Sequence, residues 1–207
     1  MNKSVCRRSR HLIRKVKRLS VYVLTFLIFS FGISGEVLAN FTPGNLVIYR
    51  VGAGGVDPLI NTGNPVFLDE YTTAGTYTLN TVNLPTTASG ANNALISDGT
   101  AIDEGELTLS TDGGYLVLSG YGSTIPAGVP LSTSTSALIN RVVGTVDYTE
   151  VVNTTTSLTD WGNLGTPRSA VSVDGSAFWL GSDVDGVRYT TLGSPTTTSI
   201  STTNTDI

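Results

Sequence analysis

The sequence predicts an all-β fold: an incomplete β-propeller-like array of antiparallel four-stranded units, about three blades, preceded by a signal-peptide helix. Three observations support this prediction. The strand–turn–strand segment Leu107–Ser119 returns without a gap as Ser169–Gly181. Residues 40–207 contain short strand-like runs separated by Gly, Asn, Asp and Pro, with no helical periodicity. The chain opens with a basic segment followed by an apolar run, an order typical of secreted proteins.

Residues 1–39 are predicted to be a signal peptide. Eight lysines and arginines precede the apolar run 19–33, and small or tolerated residues follow it. Cleavage is expected between Ala39 and Asn40. An uncleaved anchor is the alternative, but the run is shorter than the ~20 residues of a membrane span and Glu36 interrupts its extension. The expected location is secreted, periplasmic or at the cell surface.

Removal of the signal peptide makes the remaining chain strongly acidic. Residues 40–207 contain four arginines and fifteen acidic residues, so their formal charge is −11, compared with −4 for the whole chain. Such a domain repels phosphate backbones and anionic lipids, so we expect no nucleic-acid partner and no membrane contact beyond the signal peptide. The only histidine, the only cysteine and every lysine leave with residues 1–39. This excludes a Ser-His-Asp triad, a cysteine nucleophile and an ordinary zinc site, and no cofactor is expected.

The predicted strands follow one another closely along residues 40–207. They span 45–51, 66–71, 77–84, 105–110, 115–120, 139–147, 169–173, 177–181 and 187–192, with a further short one possible at 197–201. Asp-Gly pairs at 98–99, 112–113, 174–175 and 185–186 predict tight turns, because both residues tolerate a positive φ. The apolar runs Leu116–Leu118 and Phe178–Leu180 predict strands that are buried on both faces.

The repeat also suggests an equivalence between two arginines. Arg141 and Arg188 each lie near the start of the strand that follows the repeated hairpin. If they are equivalent, each is expected to form a structural ion pair with an aspartate such as Asp147 or Asp185.

The number of units predicts a truncated domain. Residues 40–207 at ~45–60 residues per blade give about three units, whereas a closed ring has ~4–8. An open ring would expose sheet edges, which folded proteins avoid. We therefore expect a fragment, truncated at its C-terminus, of a longer protein. If the chain is complete, a small β-sandwich becomes the better interpretation.

Five segments carry a resemblance to a known group of proteins. They are 45–52, 66–71, 104–113, 116–121 and 140–147. They resemble a group of uncharacterised secreted bacterial proteins with propeller-like repeats, whose members are longer chains. The resemblance implies a fold and a truncation, and it brings no activity and no catalytic residue.

Carboxylates are the remaining candidates for chemistry. Two of them can act as acid and base in glycoside cleavage if the fold sets them at the right separation. The alternative is solvated charge at strand ends. The cluster comprises Asp69, Glu70, Asp103, Glu104 and Glu106.

A second acidic motif lies between two predicted strands. Asp183 and Asp185 resemble the start of a calcium loop, but the later ligands of an EF-hand are absent. The alternative is a hairpin turn, and no metal site is assigned.

Aromatic residues allow one further interpretation. They could line a sugar-binding surface, although strand positions favour core or cross-strand packing. They are Tyr49, Tyr71, Tyr115, Tyr121, Trp161, Trp179 and Tyr189.

Together these features predict a secreted or cell-surface module that is more consistent with non-catalytic binding of an extracellular ligand or protein than with catalysis. The alternative is a carboxylate-dependent enzyme acting on extracellular carbohydrate.

Overall fold

The computed structural model describes residues 40–55 and 57–201. These residues form twelve β-strands and no α-helix, which confirms the all-β prediction. The predicted signal peptide, including Ala39, lies outside the described residues, and Asn40 is the first residue within them. Within the described part, no helix has the length and apolar character needed to cross a membrane.

The strands are short and closely spaced. In chain order they are β1 (Leu46–Val51), β2 (Asn64–Tyr71), β3 (Tyr77–Asn83), β4 (Ile96–Ser97), β5 (Thr108–Leu109), β6 (Tyr115–Tyr121), β7 (Arg141–Asp147), β8 (Val152–Leu158), β9 (Pro167–Ser172), β10 (Ala177–Ser182), β11 (Val187–Thr191) and β12 (Thr198–Ser199).

Two antiparallel sheets contain all of these strands. The first has eight strands in the order β1-β2-β4-β6-β7-β8, with β3 beside β2 and β5 beside β6. The second has four strands in the order β12-β11-β10-β9. We call β1–β3 the first unit, β5–β8 the second unit and β9–β12 the third unit. The prediction of separate four-stranded units therefore needs a correction, because β4 joins the first unit to the second: Ile96 pairs with both Pro65 and Tyr121.

The core lies in the spaces between the units. One cluster joins the first and second units through Val66, Leu68, Val82, Leu84, Leu95, Leu118, Val142 and Val146. Another joins the second and third units through Val117, Val143, Leu158, Trp161, Ala170, Phe178 and Leu180. Strands β6 and β7 contribute to both clusters, which confirms two-sided burial of Leu116–Leu118. The same prediction is wrong for Phe178–Leu180, because Trp179 keeps 37% of its surface exposed.

The repeated Asp-Gly turns are present at both predicted places. Gly113 and Gly175 have φ values of +75° and +80°, as the turn requires. The strand pairing of the two hairpins differs by one residue. Val117 pairs with Thr108, whereas the aligned Trp179 pairs with Val171 instead of Ala170. The two aligned segments thus both form hairpins, but their strand registers differ by one residue.

The predicted equivalence of the two arginines is wrong. Arg141 pairs with Tyr121 at the end of β6, whereas Arg188 pairs with Leu180 in the middle of β10. The residue that corresponds to Leu180 in the first hairpin is Leu118, and its partner is Gly144. The similar sequence position of the arginines is therefore not a similar position in the sheets.

Three elements differ from the predicted strands for local reasons. Strand β8 was not predicted, because its buried positions include Thr154 and Thr156 and do not show apolar alternation. Strand β4 has two residues and gives no pattern. The predicted strand 105–110 is reduced to Thr108–Leu109, since Gly105 has a φ of +84° and ends a loop.

The two turns allow a matched test of close packing. A Cβ on Gly113 would meet nothing within 4 Å, whereas a Cβ on Gly175 would lie 2.9 Å from the ring of Tyr115. Gly113→Ala should cost about 1 kcal/mol through its left-handed backbone. Gly175→Ala should cost about 1–3 kcal/mol more through the added overlap. Urea unfolding measures both, and equal losses would contradict the packing of the second unit on the third.

Candidate functional site

The five predicted carboxylates do not form one cluster. Asp69 and Glu70 are neighbours on β2, so their side chains point to opposite faces of the sheet. Asp69 accepts hydrogen bonds from Arg50 Nε at 2.5 Å and from Thr81 Oγ1 at 2.7 Å. The Arg50 hydrogen bond is the main cause that holds the pKa of Asp69 below its ordinary value. This carboxylate is part of an ion pair on the outer face of the first unit.

Glu70 is buried and anchors the chain that enters β1. Its Oε1 accepts hydrogen bonds from the amide N–H of Thr42 at 2.6 Å and from Asn45 Nδ2 at 3.0 Å. Its Oε2 accepts hydrogen bonds from Thr78 and Asn80. Burial alone would raise the pKa of Glu70, but these four hydrogen bonds outweigh it and leave the pKa lowered. Glu70 therefore serves as a structural acceptor.

The remaining three carboxylates lie between β4 and β5. Asp103 forms a 3.0 Å ion pair with Arg168 of β9, which ties this loop to the third unit. Glu106 is exposed, whereas Glu104 is partly buried. Only Glu104 combines burial with polar neighbours, and it forms the first candidate site.

Glu104 is held by three donors, one from β6 and two from the end of β4. Tyr121 Oη donates to Oε1 at 2.5 Å, and Ser97 Oγ and the amide N–H of Asp98 each lie 3.2 Å from Oε2. Tyr49 packs against the loop beside Glu104, where a Cβ on Gly105 would lie 2.8 Å from its ring. Glycine is therefore required here both for the φ of +84° and for the approach of Tyr49.

Burial decides the protonation of this network. It raises the pKa of Glu104 to about 7, and the charge of Asp98 adds to the rise while the hydrogen bonds from Tyr121 and the Asp98 amide oppose it. Burial also raises the pKa of Tyr121, with a further rise from the charge of Glu104. Glu104 can thus gain or lose a proton near neutral pH, as a general acid does.

Arg141 lies next to this network and is completely buried. Its guanidinium stands 4.7 Å from the centre of the Tyr121 ring. It donates to backbone oxygens of Ser134 at 2.8 Å, Ile139 at 2.5 Å and Gly165 at 3.0 Å. Burial is the main cause that lowers the pKa of Arg141. The contacts join two loops, so Arg141 acts as a structural cation, and the suggested pairing with Asp147 is wrong.

Asp147 and Asp185 have other roles. Asp147 Oδ1 accepts the backbone N–H groups of Thr149 and Val151 within its own turn. Asp185 contacts Arg188 at 3.5 Å, which is the suggested ion pair, and accepts the amide N–H of Gly162.

The predicted calcium motif supports a loop through hydrogen bonds. Asp183 Oδ1 accepts the amide N–H of Thr166 at 2.7 Å, and Asp185 holds the amide of Gly162 at the other end of the same loop. Among residues 40–55 and 57–201, no group of three or more acidic, histidine or cysteine residues is arranged to hold a metal ion.

The second candidate site is a groove of about 470 Å³ at the opposite end of β6 and β7. Three chain segments line it: 41–45 with Val47, the β5–β6 hairpin, and residues 146–148. Its apolar wall includes Phe41, Leu109, Leu116 and Tyr148. Leu109 and Tyr148 expose 64% and 67% of their surface. The groove is mainly apolar, and Glu70 holds one wall through Thr42 and Asn45.

The predicted aromatic set is divided between core and surface. Tyr121 and Trp161 are fully buried, and Tyr115 reaches the groove. Trp179 and Tyr189 form an edge-to-face pair, with centroids 5.5 Å apart, on the outer face of the third unit. No signal in the sequence indicates the groove, because its walls come from segments about 30 to 60 residues apart along the chain.

Comparison with protein-family models, curated proteins and solved structures gave no match to this chain.

The raised pKa of Glu104 predicts a pH-dependent stability. In the folded state Glu104 holds its proton up to about pH 7, whereas in the unfolded state it releases the proton near pH 4.5. The contribution of Glu104 to the free energy of unfolding is therefore fully present below pH 4.5 and is lost as the pH rises through about 7. Glu104→Gln removes that loss. The stability of the variant relative to the native protein should rise by roughly 1–3 kcal/mol from pH 5 to pH 8. Denaturant unfolding at both pH values measures it, with Ile102→Ala as a non-titrating control. A relative stability that does not change with pH contradicts the buried state of Glu104.

Arg141 allows a second matched comparison. Lysine keeps the charge but cannot span the separate oxygens that the planar guanidinium reaches. Arg141→Lys should lower the free energy of unfolding by about 3 kcal/mol. Arg188→Lys, at a partly exposed ion pair, should cost less than about 1 kcal/mol. Equal losses in thermal or urea unfolding would mean that Arg141 does not hold the two loops.

Proposed function

We propose that this protein is a secreted or cell-surface propeller-like module that binds an extracellular ligand or protein without catalysis. The observation that supports this proposal is the apolar groove between segment 41–47, the β5–β6 hairpin and residues 146–148. Its size suits part of a ligand or one loop of a partner. Concave apolar sites with few polar groups are typical of recognition sites.

The polar groups around the groove favour a ligand with an apolar surface. Asn45 donates its side-chain amide to Glu70, and Asp147 accepts hydrogen bonds from its own turn. Both groups are therefore already engaged in internal hydrogen bonds. Recognition then depends on contact with the side chains of Phe41, Leu109 and Tyr148, which suits an apolar peptide segment or the apolar face of a sugar ring.

The positions of the carboxylates also support binding over catalysis. Asp69 is paired with Arg50, Glu70 is enclosed by four donors and Asp103 is paired with Arg168. A carboxylate engaged in this way holds the fold together. Residues 69 and 70 are thus poor candidates for the acid and base of a hydrolase.

One observation favours a second candidate function. Glu104, with its pKa of about 7 and a hydrogen bond from Tyr121, has the properties of a general acid, and Asp98 lies beside it. A carboxylate-dependent enzyme acting on extracellular carbohydrate would use this pair. This site is at the other end of β6 and β7 from the groove, so the two functions can be tested separately.

The binding proposal is tested with arrays of glycans and of extracellular proteins probed with residues 40–207. A hit should lose at least about tenfold in affinity in the double variant Leu109→Ser/Tyr148→Ser, because both side chains supply exposed apolar contacts. Ile102→Ser, at a 99% exposed position outside the groove, is the control. The absence of any hit, or a hit that the double variant leaves unchanged, contradicts the groove as the binding site.

The second function is tested on a panel of polysaccharides with reducing-sugar detection. If the protein is active, Glu104→Gln should lower the rate at least about 100-fold, since general acid catalysis typically contributes that much. The groove double variant should then keep its rate. Undiminished activity in Glu104→Gln rules out this carboxylate as the acid.

A further inference from the structure

The outer face of the third unit carries a row of apolar side chains. Val171, Trp179 and Tyr189 lie side by side across β9, β10 and β11, because Trp179 pairs with both of the others. Val171 and Trp179 expose 44% and 37% of their surface. We call Val171, Trp179 and Tyr189 the trailing face. Its opposite side, with Phe178 and Leu180, is packed against the second unit.

The repeat shows what covers the corresponding face one unit earlier. Val117 is the residue of the first hairpin that aligns with Trp179, and it is completely buried. Val117 packs in one cluster with Phe178 and Leu180 of the third unit. Beside it, Thr108 Oγ1 donates to the carbonyl of Ala170 at 2.7 Å. A face of this kind is therefore covered, inside this chain, by the next sheet of the array.

The first unit presents a second apolar face. Leu46, Ile48 and Tyr77 expose 50%, 47% and 38% of their surface, and the Tyr71 ring lies 5.3 Å from that of Tyr77. We call Leu46, Ile48, Tyr71 and Tyr77 the leading face. It lies opposite the side of the first unit that packs on the second, where Val66 and Leu68 are buried.

Neither face carries net charge. The charged groups of the leading side, Arg50 and Asp69, neutralise each other in a 2.5 Å ion pair. The trailing face consists of one aliphatic and two aromatic side chains. This matters because residues 40–207 carry a formal charge of −11, so copies of the chain repel each other over most of their surface. Two uncharged apolar faces are the places where copies can approach.

We propose that the trailing face of one molecule packs against the leading face of a second copy, and so continues between molecules the sheet-on-sheet contact that the units make within the chain. The interface is heterologous, since it joins two different surfaces. Such contacts add copies in one direction, either until a ring closes or as an open series.

Sedimentation velocity of residues 40–207 tests this proposal over about 1–200 µM, a range that covers typical weak self-association. We expect concentration-dependent species larger than a monomer. Trp179→Glu and Ile48→Glu should each lower the association constant at least tenfold. Val171→Glu replaces Trp179→Glu if the latter fails to fold, as judged by circular dichroism. Ile102→Glu, at a 99% exposed position on neither face, should behave like the native protein.

Mixing the two blocked variants gives the decisive result. Trp179→Glu retains an intact leading face and Ile48→Glu retains an intact trailing face, so an equimolar mixture should form a dimer and nothing larger. A native protein that stays monomeric at the highest concentration overturns the proposal. The proposal is also overturned if Trp179→Glu blocks association but Ile48→Glu does not, because that result indicates a symmetric contact between two trailing faces. A mixture of the two variants that stays monomeric overturns it as well.

Discussion

The burial of β6 and β7 on both faces is the constraint on which the structure depends. Leu118 and Val146 point to the first unit, whereas Val117 and Val143 point to the third. The first side is crowded at two glycine positions of these strands. A Cβ on Gly144 would lie 2.8 Å from the Leu95 side chain, and one on Gly120 would lie 2.7 Å from the carbonyl oxygen of Ile96. Glycine at these two positions thus permits the close approach of Leu95 and Ile96 to the second unit.

The same two strands separate the two candidate sites. At one end, Tyr115 pairs with Asp147 next to the groove, and at the other end Tyr121 pairs with Arg141 next to Glu104. Six residue steps at about 3.3 Å place these ends about 20 Å apart. At the end near Glu104, Arg141 and Tyr121 connect three loops through hydrogen bonds. The groove end consists of a hairpin and a chain segment that Glu70 holds. Binding at the groove therefore does not require any change at Glu104.

The sequence predicted the strands better than it predicted the contacts between them. All nine main predicted strands are present, since alternation and turn residues are local signals. The sequence does not predict strand β8, because one of its buried residues is the polar Thr154. Thr154 donates a hydrogen bond to the carbonyl of Asn93 at 2.7 Å, and this partner cannot be inferred from the local sequence. The strand registers of the two hairpins differ by one residue, and turn geometry sets such a register. An alignment of the two segments without a gap cannot show this difference. Glu104 was identified as one of five carboxylates, but its distinct environment comes from Tyr49, Ser97 and Tyr121, which only the folded chain brings together.

The distribution of charge explains how an acidic domain can keep two apolar faces. Among the described residues, only Asp69, Glu70 and Asp147 are acidic residues within strands, and all three are engaged in internal hydrogen bonds. The other described carboxylates lie in turns and loops, at the ends of the strands. Because the negative charge is concentrated at the ends of the strands, copies of the chain repel each other at those ends. The two apolar faces carry no net charge. An array of sheets can be extended only through its faces, so this arrangement favours association in one direction and opposes it in the others.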